Sequence, residues 1–195
     1  APRLPERARQ RLLDAAVQGA RSLDYRNAGT FEFIMDRDFN FYFLEMNTRL
    51  QVEHPVTEAV TGLDLVEWQF RVAAGQALPL LQSEISCRGH AIEARIYAED
   101  PAQDFRPSPG KVVHARWPAD LRVDTALDDA GEIPPFYDPM VAKIIASAAD
   151  RRAALAGLKA GLGQTALLGV ASNLGYLLRL LDDPGVLAGQ VHTRY

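Results

Sequence analysis

Two glutamates, Glu32 and Glu45, lie in neighbouring segments that could bring them together around a cation. Residues 30–35 and 41–46 are rich in aromatic residues, which is typical of β-strands. The segment between them, residues 36–40, reads DRDFN, a composition that favours a turn. The two segments are therefore predicted to pair as an antiparallel hairpin.

The pairing register decides whether these two acids face each other. With a loop of residues 37–40, Asp36 lies opposite Phe41, and counting outward places Glu32 opposite Glu45. Directly opposed side chains have Cβ atoms about 4.5–5.5 Å apart, a distance at which two like charges are destabilising. Either one carboxyl group is protonated or a cation lies between the two. Hard oxygen ligands at this spacing suit Mg²⁺ or Mn²⁺, and Mg²⁺ usually completes its shell with water and substrate phosphates.

Polar residues occupy every second position after the second acid. We call this set the polar stripe, and it consists of Glu45, Asn47, Arg49, Gln51 and Glu53. If the segment stays extended as far as Pro55, all five side chains lie on one face and could hold a metal, an anion and a proton acceptor in sequence. The alternative is an edge strand with a solvated charged face, but five polar residues in phase after an opposed acid pair favour a functional site.

A second alternating segment carries a possible ion pair. In residues 91–97 the polar residues Glu93, Arg95 and Tyr97 alternate with apolar ones. Spacing alone favours an exposed Glu–Arg pair on a half-buried strand, which would contribute little to stability.

The segment Gly161–Ala166 matches the pattern G-x-G-x-x-A of dinucleotide-binding loops. It follows a predicted helix rather than a strand, and no acidic residue lies at the spacing of a βαβ unit. These glycines are therefore predicted to belong to a helix terminus.

The remaining pattern predicts an α+β chain. Helices are expected at residues 5–21, 65–74, 151–162 and 172–181, and further strands at 90–97, 111–117 and 121–126. Helix-forming sequence gives way to Gly and Pro at residues 75–79. This change predicts one domain over residues 1–76 and a second over residues 77–195.

Composition excludes several classes of protein. The 195 residues carry a net charge of −4, so nucleic acid is not expected as a partner. Arg nevertheless outnumbers Lys by 18 to 3, which leaves room for a local anion site. A single cysteine, Cys87, excludes a disulfide framework, and no apolar run approaches the ~20 residues of a membrane span.

Residues 45–58, EMNTRLQVEHPVTE, closely resemble the signature of biotin carboxylases, a family of ATP-grasp enzymes. Matching segments occur in the same order at residues 29–33, 89–95, 98–101, 107–110 and 137–140. Residues 64–69 and 191–193 most resemble the biotin carboxylase subunits of acyl-CoA carboxylases, such as methylcrotonyl-CoA carboxylase. The resemblance implies the C-terminal part of an ATP-grasp domain, a hairpin with helices, followed by a biotin carboxylase C-terminal domain of short antiparallel strands with flanking helices.

The resemblance also implies a role for each matched residue. Glu32, Glu45 and Asn47 would hold the Mg²⁺ or Mn²⁺ that bridges the ATP phosphates. Ile34 would lie against the adenine, and the ATP-binding residues would be Glu32, Ile34 and Glu45. Arg49, Gln51 and the backbone amide of Val52 would bind bicarbonate, and Glu53 would remove its proton. Arg95 would stabilise the enolate oxygen of biotin, a role that the resemblance favours over the exposed ion pair.

The cofactors implied are ATP, Mg²⁺ or Mn²⁺, and biotin on a separate carrier domain. Partners implied are the biotin carboxyl carrier domain, a carboxyltransferase subunit, the N-terminal part of the same protein, and a second copy in a homodimer or larger assembly. Lys111, Lys143 and Lys159 all lie in the second half, so the ATP-gripping lysines of the family are not here. The chain alone is therefore expected to be inactive. Arg-rich usage favours a bacterial cytoplasm, with the mitochondrial matrix as an alternative.

Two other functions stay open at this point. The chain could be a non-catalytic module that dimerises or docks the carrier, in which case the acids and Arg49 would be idle. It could also belong to another ATP-grasp ligase that activates bicarbonate. The acyl acceptor is chosen by a separate carboxyltransferase and leaves no trace in these residues.

Overall fold

A computed structural model describes residues 4–191 of the chain. The helices are α1 Glu6–Ser22, α2 His54–Thr61, α3 Leu65–Ala73, α4 Arg151–Gln164, α5 Leu174–Leu180 and α6 Pro184–Leu187. The first two strands are β1 Thr30–Met35 and β2 Phe41–Asn47. The strands that follow are β3 His90–Tyr97, β4 Glu99–Asp100, β5 Arg106–Pro107, β6 Gly110–Val112, β7 His114–Arg116, β8 Arg122–Thr125, β9 Gly131–Ile133, β10 Met140–Ala148 and β11 Ala166–Leu168. Short 3₁₀ turns cover Gln82–Glu84 and Pro101–Gln103.

The chain divides into two compact units. The first unit comprises Ala1–His54 and Leu63–Ile85, and the second comprises Pro55–Gly62 and Ser86–Tyr195. The predicted domain boundary at residues 76 and 77 remains a prediction.

The first unit contains the predicted hairpin, with one difference near its loop. Met35, not Asp36, lies opposite Phe41, so the loop is one residue longer than expected. The Asp36 carboxylate accepts hydrogen bonds from the backbone of Asp38 and Asn40 and from the Asn40 side chain, which closes this longer loop. These bonds to Asn40 lower the pKa of Asp36.

A β-bulge compensates for the longer loop. The register shifts between Glu32 and Phe33, because Phe33 pairs with Phe43 whereas Glu32 pairs with Glu45. Leu44 is the extra residue on the bulged strand. The predicted opposition of Glu32 and Glu45 is therefore confirmed, although the register next to the loop was wrong.

Capping residues begin the predicted helices of both units. The Asp64 side chain accepts a hydrogen bond from the backbone N–H of Glu67 at 2.8 Å and so caps α3. Asp150 does the same for α4 through Ala153 at 2.9 Å. Gly161 and Gly163 lie in the last turns of α4, which ends at Gln164, so the helix-terminus prediction for these glycines is confirmed.

The second unit is built on an antiparallel sheet with the strand order β3-β10-β8. Helix α4 packs on its apolar face, and buried side chains from the sheet and from α4 form the core. Ile96, Ile144, Leu158 and Leu162 are fully or almost fully buried there. The predicted α+β class, a hairpin with helices followed by antiparallel strands with flanking helices, is confirmed.

Several elements differ from the sequence-based expectation. The central strand β10 was not predicted, although it is the longest strand of the second unit. The strand expected over residues 111–117 is split into β6 and β7 around Val113, which donates its backbone N–H to Leu168. Helix α2 was also unexpected. Among residues 4–191, no helix combines the length and the apolar character that crossing a membrane requires.

Candidate functional site

The opposed acids of the hairpin share one hydrogen-bond donor. The Asn47 side-chain nitrogen donates to Glu32 Oε1 at 2.7 Å and to Glu45 Oε1 at 3.3 Å. Glu32 is half-buried and Glu45 is exposed. The amide therefore lies between two carboxylates that pairing of β1 and β2 holds on one face, and it partly offsets their repulsion.

The hydrogen bonds continue from Asn47 along the polar stripe. Arg49 Nη2 donates to Asn47 Oδ1 at 3.4 Å, and Arg49 Nη1 donates to Gln51 Oε1 at 2.7 Å. Glu32, Glu45, Asn47, Arg49 and Gln51 are thus brought together, as predicted. An exposed guanidinium with amide groups on both sides is suited to bind a small oxyanion.

The backbone that carries the polar stripe is extended over only part of its length, which differs from the expectation. Strand β2 ends at Asn47, and the next residues form a loop with a turn at Val52 and Glu53. The prediction that Pro55 ends a strand was wrong, because Pro55 lies in the first turn of α2, where its missing N–H has no helical partner to lose. Glu53 is exposed and immediately precedes this helix.

Two neighbours of the stripe have defined positions. His54 Nδ1 lies 2.8 Å from the backbone oxygen of Gln51, which agrees with its expected structural role. Ile34 is 57% exposed and lies on the same strand face as Glu32, two residues away. An exposed aliphatic side chain next to the acids is available to a flat apolar ligand such as a purine.

Arg95 lies in the second unit, on β3. Its Nε donates to Glu93 Oε1 at 3.2 Å, and the Glu93 side chain is only 5% exposed while that of Arg95 is 37% exposed. The expectation from spacing of an exposed pair was therefore wrong. A nearly buried carboxylate holds the guanidinium while leaving part of it accessible, which suits a cation that must meet a ligand in a fixed place.

Asn173 supports the strand that carries Arg95, and the sequence analysis missed it. Its side chain accepts from the Tyr97 backbone N–H at 2.9 Å and donates to the Arg95 backbone oxygen at 3.0 Å. Its own backbone N–H donates to the Tyr97 oxygen at 3.1 Å, and the residue is 7% exposed. Asn173 thus hydrogen-bonds to three backbone groups of the edge strand β3, at Arg95 and Tyr97. The only sequence signal was an Asn next to a predicted helix start, which ordinarily indicates a cap.

The donor set on the hairpin fits a divalent cation that is shared with a ligand. Among residues 4–191 no group of three or more His, Cys, Asp or Glu side chains could hold a metal ion. Two carboxylates supply too few ligands for an all-protein site, but they match Mg²⁺, which commonly takes its remaining ligands from water and phosphates. Asn47 would add its amide oxygen once the amide has rotated, because its nitrogen faces both acids here. These residues therefore fit a metal bound together with a nucleotide.

Both parts of the chain match known protein families. Residues 93–195 match the model of the biotin carboxylase C-terminal domain, and residues 1–81 match that of the carbamoyl-phosphate synthase L chain, ATP binding domain. The alpha subunit of mitochondrial methylcrotonoyl-CoA carboxylase from Mus musculus is 52% identical over 198 residues, covering 100% of this chain and 28% of the relative. Biotin carboxylase from Halalkalibacterium halodurans is 47% identical and is matched over 43% of its length by 100% of this chain.

Solved structures give the same result. The urea carboxylase of Kluyveromyces lactis superimposes with a TM-score of 0.94 at 43% identity, over 100% of this chain and 17% of that chain. The biotin carboxylase domain dimer of Hydrogenobacter thermophilus 2-oxoglutarate carboxylase, solved with MgADP, ADP and bicarbonate, gives a TM-score of 0.93 at 40% identity over 98% of this chain and 43% of that chain. This chain thus spans less than half the length of these relatives. It belongs to the biotin carboxylase family.

Proposed function

We propose that this chain is the C-terminal portion of an enzyme that uses ATP, a divalent cation and bicarbonate to carboxylate a ureido nitrogen of carrier-bound biotin. The observation that carries the proposal is the hydrogen-bonded series on the hairpin. It runs from the opposed acids Glu32 and Glu45 through Asn47 to Arg49 and Gln51. Groups able to bind a divalent ion and groups able to bind an anion therefore lie side by side, which supports a reaction between ATP and bicarbonate.

The nucleotide end of the site uses the hairpin. Glu32, Glu45 and Asn47 would hold Mg²⁺ or Mn²⁺, and Ile34 would lie against the adenine. The bound ion would neutralise negative charge on the phosphates. Because the two acids face each other, the free energy of binding a divalent ion includes relief of their repulsion.

The bicarbonate end uses the polar stripe. Arg49, Gln51 and the Val52 amide would hold the anion, and Glu53 would accept its proton, since bicarbonate is a poor nucleophile until it is deprotonated. The resulting oxyanion attacks the γ-phosphate of ATP, the bond from that phosphorus to the bridging β-phosphate oxygen breaks, and ADP leaves as carboxyphosphate forms. Carboxyphosphate then breaks into CO₂ and phosphate, and the phosphate removes the ureido proton of biotin.

Arg95 serves the second half of the reaction. Negative charge develops on the ureido oxygen as the nitrogen attacks CO₂, and a fixed guanidinium stabilises that oxygen. The buried carboxylate of Glu93 keeps Arg95 in one place, so little reorganisation is needed when the charge forms.

The partners and the location belong to the same proposal. We expect a biotin carboxyl carrier domain, a carboxyltransferase subunit, the remainder of the ATP-binding part, and assembly as a homodimer or larger complex. The relatives include a mitochondrial subunit and a bacterial enzyme, so bacterial cytoplasm and mitochondrial matrix both stay open. A non-catalytic docking or dimerisation module, or another bicarbonate-activating ligase, is the competing function.

Substitution of the proposed base tests the proposal. In the full-length parent, Glu53→Gln is expected to lower bicarbonate-dependent ATP cleavage by roughly 10²–10⁴-fold, because the amide cannot accept the proton. Circular dichroism checks that the fold is intact. Glu67→Gln, which changes an exposed acid paired with Arg71 on α3, is the matched control and should cleave ATP normally. Near-normal turnover of Glu53→Gln would remove Glu53 from the mechanism.

A further inference from the structure

The three-stranded sheet of the second unit has a face that carries charged side chains from every strand. Directly opposed residues of antiparallel strands share a face. Lys143 on β10 lies opposite Arg95 on β3 and opposite Asp124 on β8. Two positions further along β10, Ile145 lies opposite Glu93 on β3 and opposite Arg122 on β8. We call this surface the charged face, and it comprises Glu93, Arg95, Arg122, Asp124, Lys143 and Ile145.

Ion pairs connect the strands across the charged face. Lys143 Nζ lies 3.3 Å from Asp124 Oδ2, and the Lys143 side chain is 11% exposed. Arg122 binds the same carboxylate with two nitrogens, Nε to Oδ1 at 2.9 Å and Nη2 to Oδ2 at 3.1 Å. Such a two-point arrangement fixes the plane of the guanidinium as well as its position.

Helix α2 contacts this face through Glu58. Glu58, which is 7% exposed, accepts a hydrogen bond from Arg122 Nη1 through its Oε2 at 2.6 Å. All three nitrogens of the Arg122 side chain therefore donate to carboxylates, one on α2 and one on its own strand. The helix contributes its acid to a sheet that also carries Arg95.

The charges of this network depend on one another. Hydrogen bonds to Asp124 and Glu58 raise the pKa of Arg122 despite its partial burial. Burial acts to raise the pKa of Asp124, but Arg122 and Lys143 together lower it. Removing one acid leaves cations without their compensating charge in a partly desolvated place, which is costly.

The position of α2 in the chain gives this attachment a consequence for chemistry. The helix begins at His54, the residue bonded directly to Glu53. Displacement of a catalytic group by about 1 Å can lower the rate roughly 10²-fold. A helix that is free to shift on the sheet would move the end of the polar stripe with it.

We propose that Glu58 and Arg122 are positioning residues, which anchor α2 to the strands β8 and β10 and so fix the base Glu53 at the start of that helix. The inference rests on the proposed function, because it assigns these residues to the positioning of the proposed base. Neither residue contacts a reacting atom. Glu58 and Arg122 orient helix α2. The ion pairs of Asp124 with Arg122 and Lys143 complete the network.

The test measures which kinetic constant changes. In the full-length parent, Glu58→Gln keeps the size of the side chain but removes the charge that holds Arg122. We expect kcat for bicarbonate-dependent ATP cleavage to fall roughly tenfold or more, with the KM for ATP unchanged within about twofold. Loss of this ion pair lowers the unfolding temperature in either case, so the kinetic constants decide: general damage to the site would raise the KM for ATP as well as lower kcat.

Control variants keep each outcome decisive. Asp182→Asn neutralises an acid of an exposed ion pair with Lys159 on the same unit and should leave kcat unchanged. If Glu58→Gln does not yield folded protein, Arg122→Lys is measured and should show the same loss, because lysine keeps the charge but lacks the planar guanidinium that binds Asp124 at two points and Glu58 at a third. A normal kcat in the folded variant overturns the inference. Absence of bicarbonate-dependent cleavage in the unmodified parent overturns the proposed function instead.

Discussion

At the scale of single residues, the hairpin site depends on how two like charges are neutralised. The Asn47 amide donates to both Glu32 and Glu45, so it offsets part of the repulsion between the two carboxylates. A bound divalent cation would offset that repulsion in full. The arrangement is therefore expected to be strained when no divalent ion is present and relaxed when one is bound. The difference between those two conditions is measurable without any catalytic assay.

We expect Glu45→Gln to have opposite effects in the two conditions. Without a divalent ion, the substitution removes a like-charge contact and should raise the free energy of unfolding by about 0.2–1 kcal/mol. In millimolar Mg²⁺ or Mn²⁺ with nucleotide, the unmodified parent should gain stability that the variant does not, because ligand binding to the native state stabilises it. Thermal unfolding with and without the ion measures both effects.

Equal responses of parent and variant to the ion would contradict the assignment of Glu45 as a metal ligand. Glu67→Gln, on α3, is a suitable comparison because it removes an acid that is paired with Arg71 and opposes no other acid.

Individual site residues differ in how far the sequence could predict them. Strand alternation was enough to oppose Glu32 and Glu45, although a longer loop and the bulge at Leu44 produced the same pairing by a different route. Strand alternation predicted the wrong environment for the partner of Arg95, because a polar residue at every second position does not show whether an acid such as Glu93 is exposed or nearly buried. Asn173 could not be found at all, since its partners are 76 and 78 residues away in the chain.

At the scale of elements, the sheet of the second unit is organised by its central strand. Strand β10 has neighbours on both sides and is largely buried, so its sequence is a nearly continuous run of small and aliphatic residues. Such a run lacks the alternation that reveals a half-exposed strand. The same lack of alternation explains why β10 escaped prediction while β3, an edge strand with polar residues at every second position, did not.

The ion pairs between β8 and β10 predict a dependence of stability on pH. The folded state lowers the pKa of Asp124 below its unfolded value, so its contribution is present above about pH 4. That contribution should be lost as the pH falls further, through the folded pKa. Asp124→Asn is expected to cost about 1–3 kcal/mol of unfolding free energy at pH 7, and the cost should shrink at pH 3.

Urea unfolding of the chain at several pH values measures this difference. Asp182→Asn, in the exposed pair with Lys159, should cost much less at every pH, because exposed pairs contribute little. A cost for Asp124→Asn that stays the same from pH 7 to pH 3 would contradict the ion-pair account.

At the scale of the whole molecule, the residues of interest are distributed over both units. The opposed acids and the polar stripe lie in the first unit, whereas Arg95 and the network around Arg122 lie in the second. The chain spans 28% of its mouse relative and 43% of its Halalkalibacterium halodurans relative, so activity is expected of the full-length parent rather than of these residues alone. Cleavage of ATP tests only the first half of the reaction, whereas the fate of the carbon tests both.

The most direct test follows labelled bicarbonate carbon into free biotin, catalysed by the full-length parent. We predict transfer that requires both ATP and a divalent cation, and that falls roughly 10²-fold or more in Arg95→Ala, because the developing charge on the ureido oxygen loses its cation. Asp182→Asn should transfer label normally. Bicarbonate-dependent ATP cleavage without any label in biotin, or normal transfer by Arg95→Ala, would contradict the account.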